Sequence, residues 1–347
     1  EEGSITYTGL RRAVEGIGEQ LTSIGIKTND PVAIVLPNGP TAASAFVSVA
    51  SYASAAPLNP NYTKKEFLFY LKDLDAKLLI LKSDFSSLAR EAATELSIPI
   101  AEVVAQGAPA DISLTKDGKK LLFKKATRNR GNDIALILHT SGTTSRPKIV
   151  TLTTNNVVAS AQNIAKTLSL SSGDTYLNVM PLFHIHGLIA GVLSTLVSGG
   201  TVFCSSGFDG LSFFKLLKKT KPTWFSAVPT MHQAILARSA RNKDILEKTN
   251  LRFIRSSSAP LPIVVFEKLE EVFRCPVIEA YGMTEAAHQM SSNQLPPLKR
   301  KPGTVGVPTG TLIKIISQSG SLVKENNIGE IVIKGENVFP GYRNNPL

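Results

Sequence analysis

The sequence predicts an α/β protein built on mostly parallel sheets with helices on their faces. Helix and strand patterns alternate along the first third of the chain, and the alternation returns in the second half with short polar or Gly/Pro loops between elements. The chain has 347 residues, of which 43% are hydrophobic and 19% charged, so it can bury a large core. This composition excludes disorder as the main state.

Local signals in the first third mark two strands and a helix. Residues 32–36 form a short apolar run that ends in a Pro-Asn-Gly turn. Thr63 and Glu66 form a capping box, in which a hydroxyl and a carboxylate three residues apart satisfy each other's free amides. The box opens an amphipathic helix through Leu74, and the strand-like run 76–81 follows. Strand, helix, strand is the order of a parallel unit.

The second half contains buried strand runs that are followed by loops and then helix patterns. These runs end at Thr140, Met180, Val228, Arg255 and Ala280. In parallel sheets, ligands bind beyond the carboxyl ends of strands, because loops and helix N-termini meet there. The unusual residue clusters of this sequence all follow such ends. We therefore expect an active site at that edge of the sheet.

The texture of the sequence divides the chain into three units. Residues 311–316 and 330–334 alternate around turns, which predicts a small antiparallel β unit. The polar, basic stretch 105–132 predicts a connector. We expect a first α/β unit, a second α/β unit that carries the motifs, and the start of the β unit, over residues 1–130, 131–302 and 303–347.

The charge of the chain is strongly positive. Lys and Arg number 38 against 27 Asp and Glu, and the net charge of +11 favours polyanionic partners such as nucleotide phosphates, coenzyme A, nucleic acid or anionic membrane. The excess comes largely from 116–130 and 299–301, which suit solvated loops or, alternatively, a polyanion site. Aromatic residues are only 7% and are not interleaved with the basic ones, which argues against a nucleic-acid partner.

Other classes are excluded by cysteine usage and hydropathy. Cys204 and Cys275 lie too far apart for a disulfide framework or a zinc site. The N-terminus lacks the order of a signal peptide, and the most apolar window, 187–197, is too short for a membrane span, so no transmembrane segment is expected. The chain has no Gly-x-Ser-x-Gly string, which argues against a serine hydrolase.

The loop over residues 140–148 (TSGTTSRPK) is dense in hydrogen-bond donors and follows a buried strand. Its hydroxyls and backbone amides can wrap a triphosphate, with Lys148 as a point charge. It is not a Walker A loop, because Pro147 and Ile149 stand where that motif has Gly and Ser or Thr. A Ser/Thr-rich surface turn is the alternative, but the position after a strand favours phosphate binding.

Three strings resemble, in order and spacing, the motifs of the adenylate-forming superfamily: acyl-CoA synthetases, coumarate ligases, firefly luciferase and peptide-synthetase adenylation domains. They are 140–148, 181–187 (PLFHIHG) and 279–285 (EAYGMTE), and 255–261 falls at a further family turn. The resemblance implies two stacked α/β subdomains in αβαβα layers, a small β-barrel-like subdomain and a C-terminal lid. We expect the lid, its catalytic lysine and the ribose-binding aspartate to lie beyond Leu347.

The resemblance also implies roles for single residues. It assigns Lys148 to the phosphates, Glu285 to Mg²⁺, and Thr284 and His184 to the reacting oxygens, as the catalytic set. The ATP-binding residues that it implies are Thr140, Ser141, Gly142, Thr143, Thr144, Ser145, Lys148, Ser257, Ser258, Ala259, Glu279, Ala280, Tyr281, Gly282, Met283 and Thr284. Ser145 replaces the usual loop glycine, and we expect little loss from that change.

His186, Ser258 and His288 distinguish the expected acyl pocket, where relatives carry apolar side chains or glycine. A fatty-acid tunnel would leave such donors unpaired at ~1–3 kcal/mol each. The second carboxylate of a very small acid would instead satisfy them and raise the histidine pKa values. His184 and His186 could also hold zinc, but no third ligand is near in sequence. A structural histidine is the other alternative for either one.

In this pocket the sequence resembles the oxalyl-CoA synthetases of fungi and plants, on the strings 181–187, 255–258 (RSSS) and 283–288 (MTEAAH). The resemblance implies an ATP-dependent oxalate:CoA ligase with oxalate, ATP and CoA as small-molecule partners and Mg²⁺ as cofactor. A ligase for a medium-chain or aromatic acid is the alternative, if a histidine points away from the pocket. The relatives include peroxisomal and cytosolic proteins, so either compartment is expected.

Overall fold

The computed structural model describes residues 3–83, 87–140 and 147–343. In chain order, its strands are β1 Pro31–Val35, β2 Ser54–Pro57, β3 Leu78–Lys82, β4 Ile100–Gln106, β5 Ala108–Lys116, β6 Lys119–Lys120, β7 Ile134–His139, β8 Ile149–Thr153, β9 Thr175–Asn178, β10 Thr201–Cys204, β11 Trp224–Ala227, β12 Phe253–Ser256, β13 Val277–Met283, β14 His288–Ser292, β15 Val307–Pro308, β16 Leu312–Ile316, β17 Glu330–Lys334 and β18 Tyr342–Arg343.

Helices separate many of the strands before β13. They are α1 Tyr7–Ser23, α2 Pro40–Ala50, α3 Lys64–Leu74, α4 Leu88–Glu95, α5 Thr154–Thr167, α6 Ser194–Val197, α7 Phe213–Thr220, α8 Pro229–Ser239, α9 Lys243–Leu246 and α10 Ile263–Phe273. A π-helix, His186–Leu193, runs into α6, and 3₁₀ turns occupy Ala240–Asn242 and Thr284–Ala286. The capping box that opens α3 is confirmed, with the hydroxyl of Thr63 accepting from the amide of Glu66 at 3.3 Å.

The first sheet has nine strands among the described residues, in the order β18-β8-β7-β2-β1-β3-β4-β5-β6. Its centre, from β7 to β4, is parallel. The strands beyond the centre, β8 and β18 on one side and β5 and β6 on the other, pair antiparallel. β1 is buried along its whole length, as expected for a central strand that is covered on both faces.

The second sheet has the order β10-β9-β11-β12-β13-β14-β15 in the described part of the chain. Strands β10 to β13 are parallel, and β14 and β15 add antiparallel pairs. Side chains of α1, α2, α5 and the π-helix form one apolar core with both sheets. Helices α3 and α4 pack against the first sheet, and α7, α8 and α10 against the second. The expected αβαβα layering is therefore confirmed.

The sheet topology differs from the expected division at residue 130. Strands β5 and β6 form inside the stretch 105–132, which is therefore more than a connector. Strands β7 and β8 follow residue 131 but complete the first sheet rather than start the second. After β6, at one edge of the first sheet, a polar stretch leads the chain to β7, which pairs with β2. A chain that crosses an exposed sheet edge has the same polar composition as a linker.

The small antiparallel unit is confirmed as the pair β16 and β17. The described residues after 303 form no closed barrel, so the expected barrel-like form is not seen. Within the described ranges, no helix combines the length and apolarity that a membrane span requires.

Candidate active site

The candidate site lies where neighbouring parallel strands of the second sheet end. Strands β9, β11, β12 and β13 are adjacent, so their carboxyl ends open on one edge. The strings 181–187, 255–261 and 279–285 lie at the ends of β9, β12 and β13. Parallel pairing thus brings together three strings that are distant in sequence.

The end of β12 is bound to that of β13. Ser257 is buried, and its hydroxyl donates to the carbonyl oxygen of Ala280 at 2.9 Å. Ser258 and Ala259 follow as exposed residues. Ser258 has a φ of 74°, in the left-handed region that favours glycine. A glycine would fit this turn more easily, and the serine adds a hydroxyl at the exposed end of the strand.

β13 and the turn after it carry most of the predicted adenine residues and the predicted metal ligand. Glu279 is nearly buried, and its carboxylate accepts from the amide of Gly303 at 3.0 Å; burial raises its pKa. A Cβ atom at Gly282 would overlap the carbonyl oxygen of His288, so β14 can fold back on β13 only with glycine there. Residues 281–285 are all partly exposed, so a ligand can reach them.

His186 and His288 lie side by side, each 2% exposed, with ring centroids 4.9 Å apart. Nδ1 of His186 lies 3.1 Å from Oγ of Ser258, and Nε2 lies 2.6 Å from Oγ of Ser226. Nδ1 of His288 is buried and has no hydrogen-bond partner among the described residues. The structure therefore brings together the three side chains predicted for the acyl pocket. His186 contacts the exposed Ser258, and His288 packs against His186.

Arg255 is a member of this cluster that the sequence analysis did not assign to the site. Its side chain is fully buried, and Nη1 lies 3.3 Å from both Nε2 of His186 and Oγ of Ser226. Nη2 donates to Oε1 of Gln289 at 2.9 Å. Burial lowers the pKa of Arg255 to about 10, which still leaves it charged at neutral pH. An arginine inside the apolar strand run FIRS was the only sequence signal for this role.

The two buried imidazoles are neutral near pH 7 in the unliganded protein. Burial lowers the pKa of His186 well below its ordinary value, and His288 and Arg255 lower it further. Burial and then Arg255 act on His288 in the same direction. The sequence analysis expects the pKa values of both histidines to rise when a second carboxylate binds. Without that carboxylate, both pKa values are lowered.

Lys148, Glu285 and Tyr342 come together at the other side of the site. The amide of Thr140 donates to the carbonyl oxygen of Lys148 at 2.9 Å. The ammonium of Lys148 lies 4.6 Å from the ring centroid of Tyr342, whose hydroxyl donates to Oε1 of Glu285 at 2.7 Å. The sequence analysis missed Tyr342, which pairing of β18 with β8 brings here. The other predicted loop residues, Ser141, Gly142, Thr143, Thr144 and Ser145, lie outside the described residues.

Glu285 fits a magnesium ligand, because Mg²⁺ in nucleotide sites takes one or two carboxylates together with phosphate oxygens and water. His184 and His186 lie in different surroundings: the ring of His184 is exposed and 4.7 Å from that of Phe183, whereas His186 is buried. Within the described ranges, no three His, Cys, Asp or Glu residues form a group that could hold a metal ion. A zinc site therefore finds no support in the described part of the chain.

Comparison with known proteins gives matches over almost the whole chain. The sequence model of the family described as AMP-binding enzyme matches residues 1–343. The chain is 43% identical to an oxalate–CoA ligase of Arabidopsis thaliana, over 99% of this chain and 68% of the relative. It is 41% identical to an oxalate–CoA ligase of Saccharomyces cerevisiae, over 91% of this chain and 62% of the relative.

Among solved structures, the fold matches O-succinylbenzoate coenzyme A synthetase from Bacillus subtilis in complex with ATP and magnesium ion. The TM-score is 0.82 and the identity 27%, over 99% of this chain and 69% of that one. The chain thus spans 62% to 69% of the length of these three proteins.

Proposed function

This chain belongs to the AMP-binding enzymes, and we propose that it carries the acid and ATP sites of an AMP-forming acid–CoA ligase whose acid is oxalate. The names of the two oxalate–CoA ligases, at 43% and 41% identity, support this substrate. The magnesium ion and ATP in the similar synthetase structure support Mg²⁺ as the cofactor.

The observation that carries the proposal is the buried polar cluster at the exposed Ser258. His186 and His288 are both 2% exposed, His186 is hydrogen-bonded to Ser258 and Ser226, and His288 packs against His186. A medium-chain or aromatic acid would have to displace these rings and leave their polar atoms unpaired, which is costly in a buried place. A two-carbon diacid needs no such space, and its second carboxylate can accept from the donors there.

In the proposed reaction, one carboxylate of oxalate attacks the α-phosphorus of ATP in line and displaces pyrophosphate. Lys148 would neutralise phosphate charge, and Thr284 and His184 would hold the reacting oxygens. Mg²⁺ held by Glu285 would supply further charge neutralisation at the phosphates. The coenzyme A thiolate then attacks the carbonyl of the acyl-adenylate and releases AMP. The protein provides no nucleophile, so its contribution is positioning and electrostatic stabilisation.

An acid panel tests the proposal on the protein at its full natural length. Oxalate, malonate, hexanoate and coumarate are each supplied with ATP, Mg²⁺ and coenzyme A, and AMP release is measured. We expect kcat/KM for oxalate to exceed that for any other acid by ~100-fold or more, because an acid of the wrong length leaves buried groups unpaired. Equal use of hexanoate or coumarate would contradict the acid but not the ligase class. Absence of AMP release with every acid would contradict both.

A further inference from the structure

Arg255 is a buried cation with no anion beside it. Its side chain is 0% exposed, and its hydrogen-bond partners, His186, Ser226 and Gln289, are all uncharged. In the described ranges 3–83, 87–140 and 147–343, no carboxylate lies among its partners. By contrast, Arg252 on the same segment pairs with Asp174 at 2.6 Å. An unpaired buried charge is strongly unfavourable, and an anion that binds nearby relieves that cost.

The contacts of Arg255 determine which nitrogen of His186 carries the proton. A guanidinium can only donate, so Nε2 of His186, 3.3 Å from Nη1, is the acceptor nitrogen of the neutral ring. The ring proton is then on Nδ1, which donates to Oγ of Ser258 at 3.1 Å. Because Ser258 accepts this bond, its own hydroxyl proton can be donated outward, on the exposed side of the residue.

We propose, on the basis of the oxalate function proposed above, that Arg255 is the positioning residue that makes the site select a short acid with a second negative charge. It acts through His186 and Ser258, which form a chain of donors from the buried guanidinium to the acid. Hydrogen bonds in such a chain polarise one another, and a charge in a buried place is screened less than one in water. An acid whose second group is uncharged would gain the hydrogen bond but not the attraction.

Arg255 supplies the positive charge of this region, because the titratable groups around it are neutral at pH 7. The titratable groups that act on His186 or Arg255 are Tyr176 on β9, His184 before the π-helix, His232 on α8 and His288 on β14, and Cys204 on β10 acts on Tyr176. Burial raises the pKa of Tyr176 and lowers those of His186, His232 and His288, and partial desolvation lowers that of His184. A dianion can therefore bind without taking up a proton.

Oxalate and oxamate test the inference, because oxamate has the same length and an amide in place of the second carboxylate. In the wild-type protein at full natural length, we expect kcat/KM for oxalate to exceed that for oxamate by ~30-fold. Gln289→Glu places a carboxylate against Arg255 with almost no change of shape, since Oε1 of Gln289 already lies 2.9 Å from Nη2. We expect this variant to lose most of the preference, through weaker use of oxalate.

Substitution of Arg255 itself gives a pH signature that a merely structural role would not produce. Arg255→Lys keeps the charge and should keep much of the oxalate preference. Arg255→Gln removes the charge, so the second carboxylate must draw a proton onto His186 or His288. The KM for oxalate should then fall as the pH is lowered from 8 to 6, whereas in the wild type it stays nearly constant.

Arg252→Gln is the matched control, because it removes an arginine three residues away. Its partner, Asp174, is not part of the group formed by His186, Arg255, Ser258 and His288. We expect its oxalate-to-oxamate ratio to equal that of the wild type. Thermal unfolding and ATP binding verify that each variant is folded. If Arg255→Gln does not fold, the oxalate-to-oxamate ratios of Gln289→Glu and of the wild type still test the inference.

Two results would overturn the inference: equal use of oxamate and oxalate by the wild type, or an unchanged preference in folded Gln289→Glu. Both leave the proposed function standing as long as oxalate is turned over. Absence of oxalate turnover in the wild type would instead contradict the proposed function itself. The two failures are therefore distinguishable in one set of assays.

Discussion

The two sides of the candidate site are built from groups of different exposure. The acid side, which consists of His186, Arg255, Ser258 and His288, has three side chains that are at most 2% exposed. On the phosphate side, Lys148, Thr284, Glu285 and Tyr342 are all exposed or partly exposed. Buried groups discriminate between acids, because a poorly fitting acid leaves them unpaired. Exposed charges act on any triphosphate that reaches them, so we expect selectivity on the acid side and rate on the phosphate side.

Among the substitutions that test this difference between the two sides, Glu285→Gln has the largest expected effect. It removes the predicted magnesium ligand, and we expect kcat for AMP formation to fall ~100- to 1000-fold, because charge stabilisation at the phosphates is lost. Binding of oxalate, measured by calorimetry, should change little. The matched control is Glu271→Gln, since Glu271 pairs with Lys268 at the surface of α10, at 2.7 Å. Normal turnover in Glu285→Gln would show that another group holds the metal.

His288→Ala is the corresponding test of the acid side. It removes an imidazole that packs against His186 and opens space beside that ring, so we expect the KM for oxalate to rise ~30-fold. The KM for ATP should stay within about twofold of the wild type, and longer acids should gain. Phe67→Ala is the matched control, since it removes a buried ring from the apolar core beside the first sheet. Equal rises of both KM values would contradict the separation of the two sides.

Much of the site could be predicted because its signals are local. At β9, β12 and β13, a strand end, a turn and the functional side chains follow one another within a few residues. The capping box at Thr63 is local in the same way, since one hydroxyl and one amide three residues apart define it. The meeting of His186 and His288 was expected only from the resemblance, because His288 begins the antiparallel strand β14.

What could not be predicted depends on partners that are distant in sequence. Arg255 is charged, and charged residues are rarely buried, so nothing in its neighbours showed that Gln289 and Ser226 would enclose it. Tyr342 reaches Glu285 only because β18 pairs with β8. The place of β7 beside β2 is likewise a non-local pairing, which the sequence around residue 130 does not indicate.

The acid side should also make the fold sensitive to acid. Burial lowers the pKa of His232 to about 4. His232 in turn contributes to the low pKa of His186. In the unfolded chain the imidazole titrates near pH 6.5, so protonation favours unfolding. The stability due to the neutral ring is complete above pH 6.5 and falls by about 1.4 kcal/mol per unit between pH 6.5 and 4.

Urea unfolding at pH 7, 6 and 5 measures this loss. We expect His232→Gln to make the fall of the free energy of unfolding shallower by about 1.4 kcal/mol per pH unit, because one titrating group is removed. His184→Gln is the comparison: burial also lowers the pKa of this exposed residue, and we expect its removal to change the slope less. The same slope in wild type and His232→Gln would show that His232 is protonated in the folded protein.

Tyr342→Phe is the smallest expected change and the one that isolates a single hydrogen bond. The variant keeps a ring 4.6 Å from the ammonium of Lys148 and removes only the hydroxyl that donates to Glu285 at 2.7 Å. Burial and the neighbouring carboxylate raise the pKa of Tyr342 to about 12, so the wild-type hydroxyl remains a donor throughout the working pH range. Without it, Glu285 is oriented less well, and we expect the Mg²⁺ concentration for half-maximal rate to rise ~5-fold.

The KM for oxalate should not change in Tyr342→Phe, because the hydroxyl donates to Glu285 on the phosphate side and not to a residue of the acid side. Tyr7→Phe is the matched control: its hydroxyl donates to the carbonyl oxygen of Gly200 at 2.7 Å, away from both sides of the site. A rise in the KM for oxalate with an unchanged Mg²⁺ requirement would mean that the two sides are coupled through Glu285. The distinction between a selective acid side and a rate-determining phosphate side would then have to be abandoned.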